Sequence, residues 1–275
     1  MEPTQNTGVI IEQKPQDWAA GQIPYEVLNP SGDWTQYLPS AENQYTHKID
    51  TMACVTFSCL NVIETQYKFR TGKEINFSDR FIAKLSGTTA NGNSVQRVLD
   101  AINTYGLVLE EEWPTDLEMT WDEYYAEIPP EVLAKANKNI KVQYEFHFPG
   151  STDYARELKH LPLEMILEAG NPYHSVEMVN TTEQFDHYPP NLRPQKSIYV
   201  ATKILVKGIS MPYEKVVKQD GKTFGVRIAT PNGDQIIYAT GEDQWKSWSK
   251  ADSYGLHTVN ADGTSDFTGC TVLPW

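Results

Sequence analysis

The spacing of apolar residues divides the chain into an earlier part with helical periodicity and a later part with the periodicity of β-strands. The helices predicted from this spacing cover residues 53–69, 78–86, 94–105, 121–125, 130–135 and 153–160. In the segment 94–105, Val95, Val98, Leu99 and Ile102 share one face, and Gly106 is typical of a helix C-cap. The first helix is expected to be amphipathic and the second to open at Ser78-Asp79.

Apolar and polar residues alternate with period two from Val142 to Phe148, which is typical of a strand with one buried face. The strands predicted here cover residues 142–148, 163–167, 174–179, 183–186 and 198–206. Helices followed by strands predict an α+β fold, with a helical part first and an antiparallel sheet second.

Turn residues and composition divide the chain into three predicted regions. Residues 1–32 form an extended arm without a core of its own, 33–207 form the main domain, and 208–275 form a small β module. Asn232-Gly233, between two short apolar runs, predicts a β-hairpin in that module. Its aromatic residues are interpreted as its core or, alternatively, as a carbohydrate-binding face; they are Trp245, Trp248, Tyr254 and Trp275.

Charge and composition exclude several functional classes. With 275 residues, 40% of them hydrophobic, the chain is long enough to bury a sizeable core, and no apolar run reaches membrane-spanning length. A net charge of −13, without a cluster of Lys and Arg, argues against a nucleic-acid partner. No metal or organic cofactor is implied. Three cysteines and no secretory signal at the first residues favour synthesis in a reducing cytoplasm.

Cys54 lies where an irregular segment becomes the first predicted helix, and this position suits a nucleophilic thiol. Backbone N–H groups in the first turn and the positive end of the helix dipole favour the thiolate, which is the reactive form. The alternative is a buried cysteine that packs as a small hydrophobe. Cys59 points to another side of the same helix and is interpreted as a packing residue.

A cysteine nucleophile needs a base, a group that orients the base, and an oxyanion donor. His174 precedes a predicted strand and is the candidate base; alternatively it is a hydrogen-bonded core histidine. Asp186, at the end of the next strand, is the candidate orienting group; alternatively it belongs to a turn before proline. Gln44, ten residues before Cys54, offers a side-chain amide to the oxyanion.

This order of residues resembles the papain-like cysteine peptidases. The collinear motifs are Asp33-Trp34, Gln44, Cys54-Val55-Thr56-Phe57-Ser58, Asn76-Phe77-Ser78-Asp79, Asn91-Gly92-Asn93-Ser94, Tyr105-Gly106-Leu107 and Glu112-Trp113-Pro114. The resemblance implies a papain-like two-lobe fold and a cleft, open to water, across which Cys54 faces His174. It also implies a thioester mechanism, with a substrate-binding segment at Asn91, Gly92 and Asn93.

The chain departs from papain at several positions. Met52-Ala53 replaces the usual Gly-Ser before the nucleophile, Val55 replaces tryptophan, and nine residues rather than five separate Gln44 from Cys54. The longer spacing requires a looped connection between the oxyanion donor and the nucleophile.

The nearer resemblance is to a divergent bacterial and phage-encoded branch, through Asn29-Pro30-Ser31-Gly32-Asp33-Trp34 and Phe185-Asp186-His187-Tyr188-Pro189-Pro190. It implies a peptide or protein substrate and association with a virion, with other virion proteins bound through the arm. Two alternatives remain open from the sequence: a peptidoglycan-cleaving endopeptidase or amidase, and a non-catalytic virion component on the same scaffold.

Overall fold

The computed structural model describes residues 9–10, 21–148, 151–168, 173–180, 184–185 and 198–209, and the backbone of five strands between residues 213 and 266. Its α-helices are α1 Cys54–Thr71, α2 Asp79–Leu85, α3 Val95–Tyr105, α4 Trp121–Tyr124, α5 Pro130–Lys135 and α6 Tyr154–Leu158. Single 3₁₀ turns occur at Thr35–Tyr37 and Glu110–Glu112. The predicted helices are confirmed, with ends displaced by two residues or fewer.

Side-chain caps explain where α2 and α3 begin. The Ser78 hydroxyl accepts the Phe81 N–H at the start of α2, and the Ser94 hydroxyl accepts the Arg97 N–H at the start of α3. Gly106 ends α3 with a φ of 83°. A Cβ atom at Gly106 would lie 2.6 Å from the Asn137 carbonyl oxygen, so both the backbone conformation and the space require glycine there.

The strands of the main body are β1 Lys141–His147, β2 Leu163–Glu168, β3 Tyr173–Met178, β4 Gln184–Phe185 and β5 Ile198–Lys207. They form a five-stranded sheet in the order β1-β5-β2-β3-β4. The pairs β2–β3, β2–β5 and β3–β4 are antiparallel. The predicted strands are therefore confirmed, as is the order of helices first and antiparallel sheet second.

The first helix differs from its prediction, because α1 is not amphipathic. Every residue from Cys54 to Gln66 is buried. A helix that is buried on all sides needs polar partners instead of a solvent-facing side. Gln66 supplies one example: its Nε2 donates to the Ile204 carbonyl 2.7 Å away, and its Oε1 accepts the Val206 N–H. The polar residues of α1 thus connect the helix to the sheet.

The described parts of the predicted arm are bound to the main body. Val9 is buried and forms an isolated parallel bridge with Asn93, where the Ile10 N–H donates to the Asn93 carbonyl. Further along, the N–H groups of Gly21 and Ile23 both donate to Glu145 Oε2 at 2.9 Å. Trp18 lies outside the described residues, as does the rest of segment 11–20.

Glu145 also belongs to a buried ionic cluster that joins β1 to β5. Lys203 Nζ lies 2.8 Å from Glu145 Oε1 and 2.5 Å from Glu157 Oε2, and all three residues are buried. Burial opposes ionisation of Glu145, but the hydrogen bonds from Lys203 and the Ile23 N–H lower its pKa to about 2. The carboxylate is therefore charged at neutral pH and fastens the arm through its backbone.

The backbone contacts divide the chain into two compact units. The first contains Met1–Gln66 and Ile75–Val206, and the second contains Tyr67–Glu74 and Lys207–Trp275. Strands of the second unit are β6 Tyr213–Val217, β7 Phe224–Ile228, β8 Gln235–Tyr238, β9 Thr258–Val259 and β10 Ser265–Asp266. Strands β7 and β8 pair antiparallel with Ile228 opposite Gln235, as predicted for the two strands of this hairpin. The turn residues Asn232 and Gly233 lie outside the described residues.

The three-region division at 1–32, 33–207 and 208–275 stays a prediction. The aromatic residues proposed for the β module, Trp245, Trp248, Tyr254 and Trp275, lie outside the described residues. Among the described helices, none is both long and apolar enough to cross a membrane.

Candidate active site

Cys54 is the first residue of α1. The helix start is fixed by apolar contacts, because Ala53 and Phe57 are buried in one cluster with Ala83 and Tyr124. The segment before it is unusual: Met52 has a φ of 57°, in the left-handed region where glycine is favoured. A residue with a side chain is strained in this region, so the segment that leads into α1 carries backbone strain at Met52.

Gln44 is brought back to the start of α1 by a tight loop. Tyr45 and Asp50 form an isolated antiparallel bridge, and the Thr51 hydroxyl donates to the Gln44 carbonyl at 2.8 Å. Within the loop, the Thr46 hydroxyl accepts the Ile49 N–H and donates to the Met119 carbonyl. The long spacing between Gln44 and Cys54 is thus accommodated as a small closed hairpin.

The Gln44 amide has a defined partner in this loop. Its Nε2 donates to Asp50 Oδ1 at 3.1 Å, and the same oxygen accepts the Met52 N–H at 2.9 Å. Gln44 is buried. Asp50 Oδ1 therefore bridges the Gln44 amide and the backbone that leads into Cys54. Asp50 is not among the predicted site residues, although an aspartate two residues before an N–H donor is typical of a side-chain-stabilised turn.

His174 is half-buried on β3, opposite Leu167 of β2. The next residue, Ser175, connects this strand to α1, because its Oγ lies 2.6 Å from Ser58 Oγ. Ser58 follows Cys54 by about one helical turn, so the first turns of α1 lie against β3.

Side chains alternate along a strand, and Ser175 faces α1. His174 therefore leaves β3 on the side away from the helix. His174 is the second residue of β3. The Cys54–His174 pair stays a prediction, and Asp186 lies outside the described residues, immediately after β4.

The predicted substrate segment forms a tight turn. The Gly92 N–H donates to the Thr89 carbonyl, and Asn91 at its tip is exposed. The side chain of Asn93 is fully buried and is used internally: its Nδ2 donates to Ser86 and Thr88 oxygens, and its Oδ1 accepts the Ser94 N–H. The backbone of Asn93 is also engaged, because its carbonyl accepts the Ile10 N–H beside the bridge with Val9.

Access to Cys54 is more restricted than the sequence suggests. The sequence predicts a thiol beside a water-accessible cleft, but Cys54 exposes only 2% of its surface. Tyr125 lies nearby: its hydroxyl donates to the Thr51 carbonyl at 2.6 Å, and burial is the main cause of a raised pKa for this phenol. The expectation of open access is therefore wrong, because Cys54 is buried.

Two buried carboxyl groups lie where α1 meets the sheet. Glu164 and Glu177 are directly opposite each other in the β2–β3 register, and neither is exposed. Burial raises the pKa of Glu164 to about 7 and that of Glu177 to about 8. Burial also raises the pKa of the Cys59 thiol, and the neighbouring Glu164 carboxyl adds to this rise. Cys59 is thus a protonated packing residue.

Comparison with known proteins gives structural neighbours but no sequence family. No family model matches the chain, and no curated protein sequence matches it significantly. Solved structures that resemble it are described as cysteine proteases.

One neighbour is the proform of the ragweed pollen allergen Amb a 11 cysteine protease, with 14% identity, a TM-score of 0.40, and coverage of 75% of this chain and 56% of that one. Another is procathepsin B S9 from Trypanosoma congolense, with 13% identity, a TM-score of 0.41, and coverage of 86% and 82%. A third is the Carica candamarcensis cysteine protease CMS1MS2 in complex with E-64, with 14% identity, a TM-score of 0.39, and coverage of 77% and 90%.

The matched part of this chain spans only about half of the ragweed proform. Because these identities and TM-scores are low, we draw no functional conclusion from the likeness and base the proposed function on the residues of this chain.

Proposed function

We propose that this protein is a papain-like cysteine peptidase that cleaves peptide bonds through a thioester at Cys54. The observation that carries the proposal is the position of Cys54 as the first residue of α1, with the Gln44 amide bound to Asp50 Oδ1, which also accepts the Met52 N–H two residues before Cys54. The collinear order of the motifs from Asp33 to Asp186 supports it. His174 on β3 is the base that this order assigns.

In the proposed reaction, the Cys54 sulfur attacks the carbonyl carbon of a peptide bond while His174 takes the thiol proton. The Gln44 amide and the Cys54 N–H stabilise the negative oxygen of the tetrahedral intermediate. His174 then gives its proton to the leaving amine, which breaks the C–N bond and leaves a thioester. Water attacks the thioester, His174 accepts a proton from that water, and the returning proton restores the thiol as the acid product leaves. Asp186 orients the imidazole.

The burial of Cys54 adds one requirement to this mechanism. A peptide carbonyl must contact the sulfur, and a thiol with 2% exposure offers almost no surface for that contact. A local opening near the helix start therefore precedes the first chemical step. The substrate class proposed here is a peptide or protein; membership of the bacterial and phage-encoded branch and association with a virion stay predictions from the sequence.

The test compares two cysteines on the same helix. Cys54→Ala and Cys59→Ala each remove one buried thiol, and both proteins are incubated with labelled casein, with a mixed peptide library and with purified cell walls. We expect Cys54→Ala to lose about 10³-fold or more in peptide cleavage, since loss of a nucleophile removes several kcal/mol of barrier lowering. Cys59→Ala should retain cleavage, and circular dichroism should show that both variants fold.

Turnover by Cys54→Ala at the wild-type rate would reject the assignment of the nucleophile. Cell-wall cleavage that depends on Cys54, without cleavage of casein or peptides, would replace the peptidase by the peptidoglycan-cleaving alternative. The absence of any cleavage that depends on Cys54 would favour the non-catalytic alternative.

A further inference from the structure

We propose that Asp50 is a positioning residue that holds the Gln44 side-chain amide ready for the oxyanion. This inference rests on the proposed function and adds a residue to it. Asp50 belongs to the loop between Gln44 and Cys54, which is longer here than in papain, so its role is a property of this chain.

One carboxylate oxygen makes both contacts that matter. Asp50 Oδ1 accepts Gln44 Nε2 at 3.1 Å and the Met52 N–H at 2.9 Å. A side-chain amide nitrogen carries two hydrogens, and only one is used by Asp50. Since the amide group is planar, fixing one hydrogen also fixes the direction of the other. The second hydrogen is the one available to a developing negative oxygen.

The second contact ties this donor to the nucleophile. The hydrogen bond from the Met52 N–H to Asp50 closes a side-chain turn over residues 50–52, and Met52 has the left-handed conformation that directs the chain into α1. Asp50 Oδ1 thus contacts both the proposed oxyanion donor and the backbone that leads into α1. Such pre-organisation has a large effect on rate, because a donor that is not held in one orientation stabilises the transition state less.

The loop has other fastenings that do not involve the Asp50 side chain. The Thr51 hydroxyl donates to the Gln44 carbonyl, and the Thr46 hydroxyl accepts the N–H groups of Lys48 and Ile49. The loop should therefore stay closed when Asp50 is replaced. What is lost is the orientation of the Gln44 amide, which makes Asp50→Ala an informative variant.

The first experiment measures cleavage of fluorescein-labelled casein by the full chain and its variants Gln44→Ala, Asp50→Ala, the double variant and Asp50→Asn. We expect Asp50→Ala to lower kcat by about 10–100-fold and to change KM by less than about threefold. The double variant should match Gln44→Ala within about threefold, because Asp50 acts through Gln44. An asparagine side chain keeps an oxygen acceptor at the same place, so Asp50→Asn should retain the wild-type rate within about threefold.

A matched control removes a similar turn from the same loop. The Asn43 side-chain oxygen accepts the Tyr45 N–H at 3.0 Å, whereas the Gln44 amide donates to Asp50. Asn43→Ala should therefore leave kcat unchanged. Equal losses in Asn43→Ala and Asp50→Ala would show that disturbance of the loop, rather than orientation of the amide, lowers the rate.

The second experiment measures alkylation of Cys54 by iodoacetamide, a reaction that forms no tetrahedral oxyanion. Asp50→Ala should alkylate at the wild-type rate within about twofold if Asp50 serves only the oxyanion donor. A matching fall in alkylation would overturn the inference in favour of a structural role at the helix start. Wild-type kcat in Asp50→Ala, or independent losses from Gln44→Ala and Asp50→Ala, would also overturn it while leaving the peptidase intact. Absence of cleavage that depends on Cys54 in the wild-type chain would reject the proposed function, and this inference with it.

Discussion

Replacement of Glu177 by glutamine should change how the stability of the protein depends on pH. Glu177 lies on β3 with none of its surface exposed. The Thr65 hydroxyl of α1 lies nearby, but within the described part of the chain neither carboxyl oxygen makes a hydrogen bond of normal geometry. Burial without good partners disfavours the charged form, and it raises the pKa of this carboxyl from 4.5 to about 8.

The size of the effect follows from this shift. A carboxyl group with a raised pKa in the folded state binds its proton more tightly there than in the unfolded chain. The full free energy of unfolding is therefore available only below the unfolded pKa of 4.5. As the pH rises from there to about 8, the unfolded chain loses the proton first, and stability falls by about 1.4 kcal/mol per pH unit. The whole shift of about 3.5 units corresponds to roughly 5 kcal/mol.

Glutamine has the shape of the protonated acid and cannot ionise. The free energies of unfolding of wild type and Glu177→Gln should therefore be similar near pH 5 and should diverge by about 4 kcal/mol at pH 8, with the variant more stable. Urea unfolding at four pH values between 5 and 8, followed by circular dichroism, measures this difference. The exposed Glu131→Gln is the control, because it removes one carboxyl from the surface.

A difference between wild type and Glu177→Gln that changes by less than about 1 kcal/mol over this range would refute the reasoning. Glu164 provides a second check on the same face of the sheet. Burial raises the pKa of its carboxyl to about 7, so Glu164→Gln should remove a pH dependence of about 3 kcal/mol between pH 4.5 and 7.

Two further predictions concern the residues around the site. Met52→Ile should destabilise the protein by about 1–2 kcal/mol, because a β-branched residue fits a φ of 57° poorly. Met52→Gly should be tolerated. Urea unfolding of both variants distinguishes backbone strain from loss of the Met side chain. Val9→Asp places a charge at a buried position and should release the segment around Val9, which frees the Asn93 carbonyl for a substrate backbone. Casein cleavage should therefore rise about threefold or more. The same substitution at the half-exposed Val27 is its control, and equal rates in both variants would show that pairing of the arm with Asn93 does not limit access.

Local sequence determined the secondary structure of the main body, because its signals act over a few residues. Ser78 and Ser94 cap the helices that they were predicted to open, and Gly106 ends α3. The predicted strands match β1 to β5 to within one residue at each end. The exception is α1: its mixture of polar and apolar residues resembles a surface helix, but its polar side chains face buried partners on distant strands, which no local pattern contains.

The sequence also placed Cys54 at the start of a helix, because that position depends on local structure. Tertiary structure decided what surrounds the thiol. It closed the loop that returns Gln44 to the helix start, it joined Gln44 to Met52 through Asp50, and it buried Cys54 itself. It also placed two opposed glutamates, Glu164 and Glu177, in the core. These features depend on contacts between segments far apart in the chain or on the exact course of a loop, and neither is encoded in the spacing of hydrophobic and polar residues.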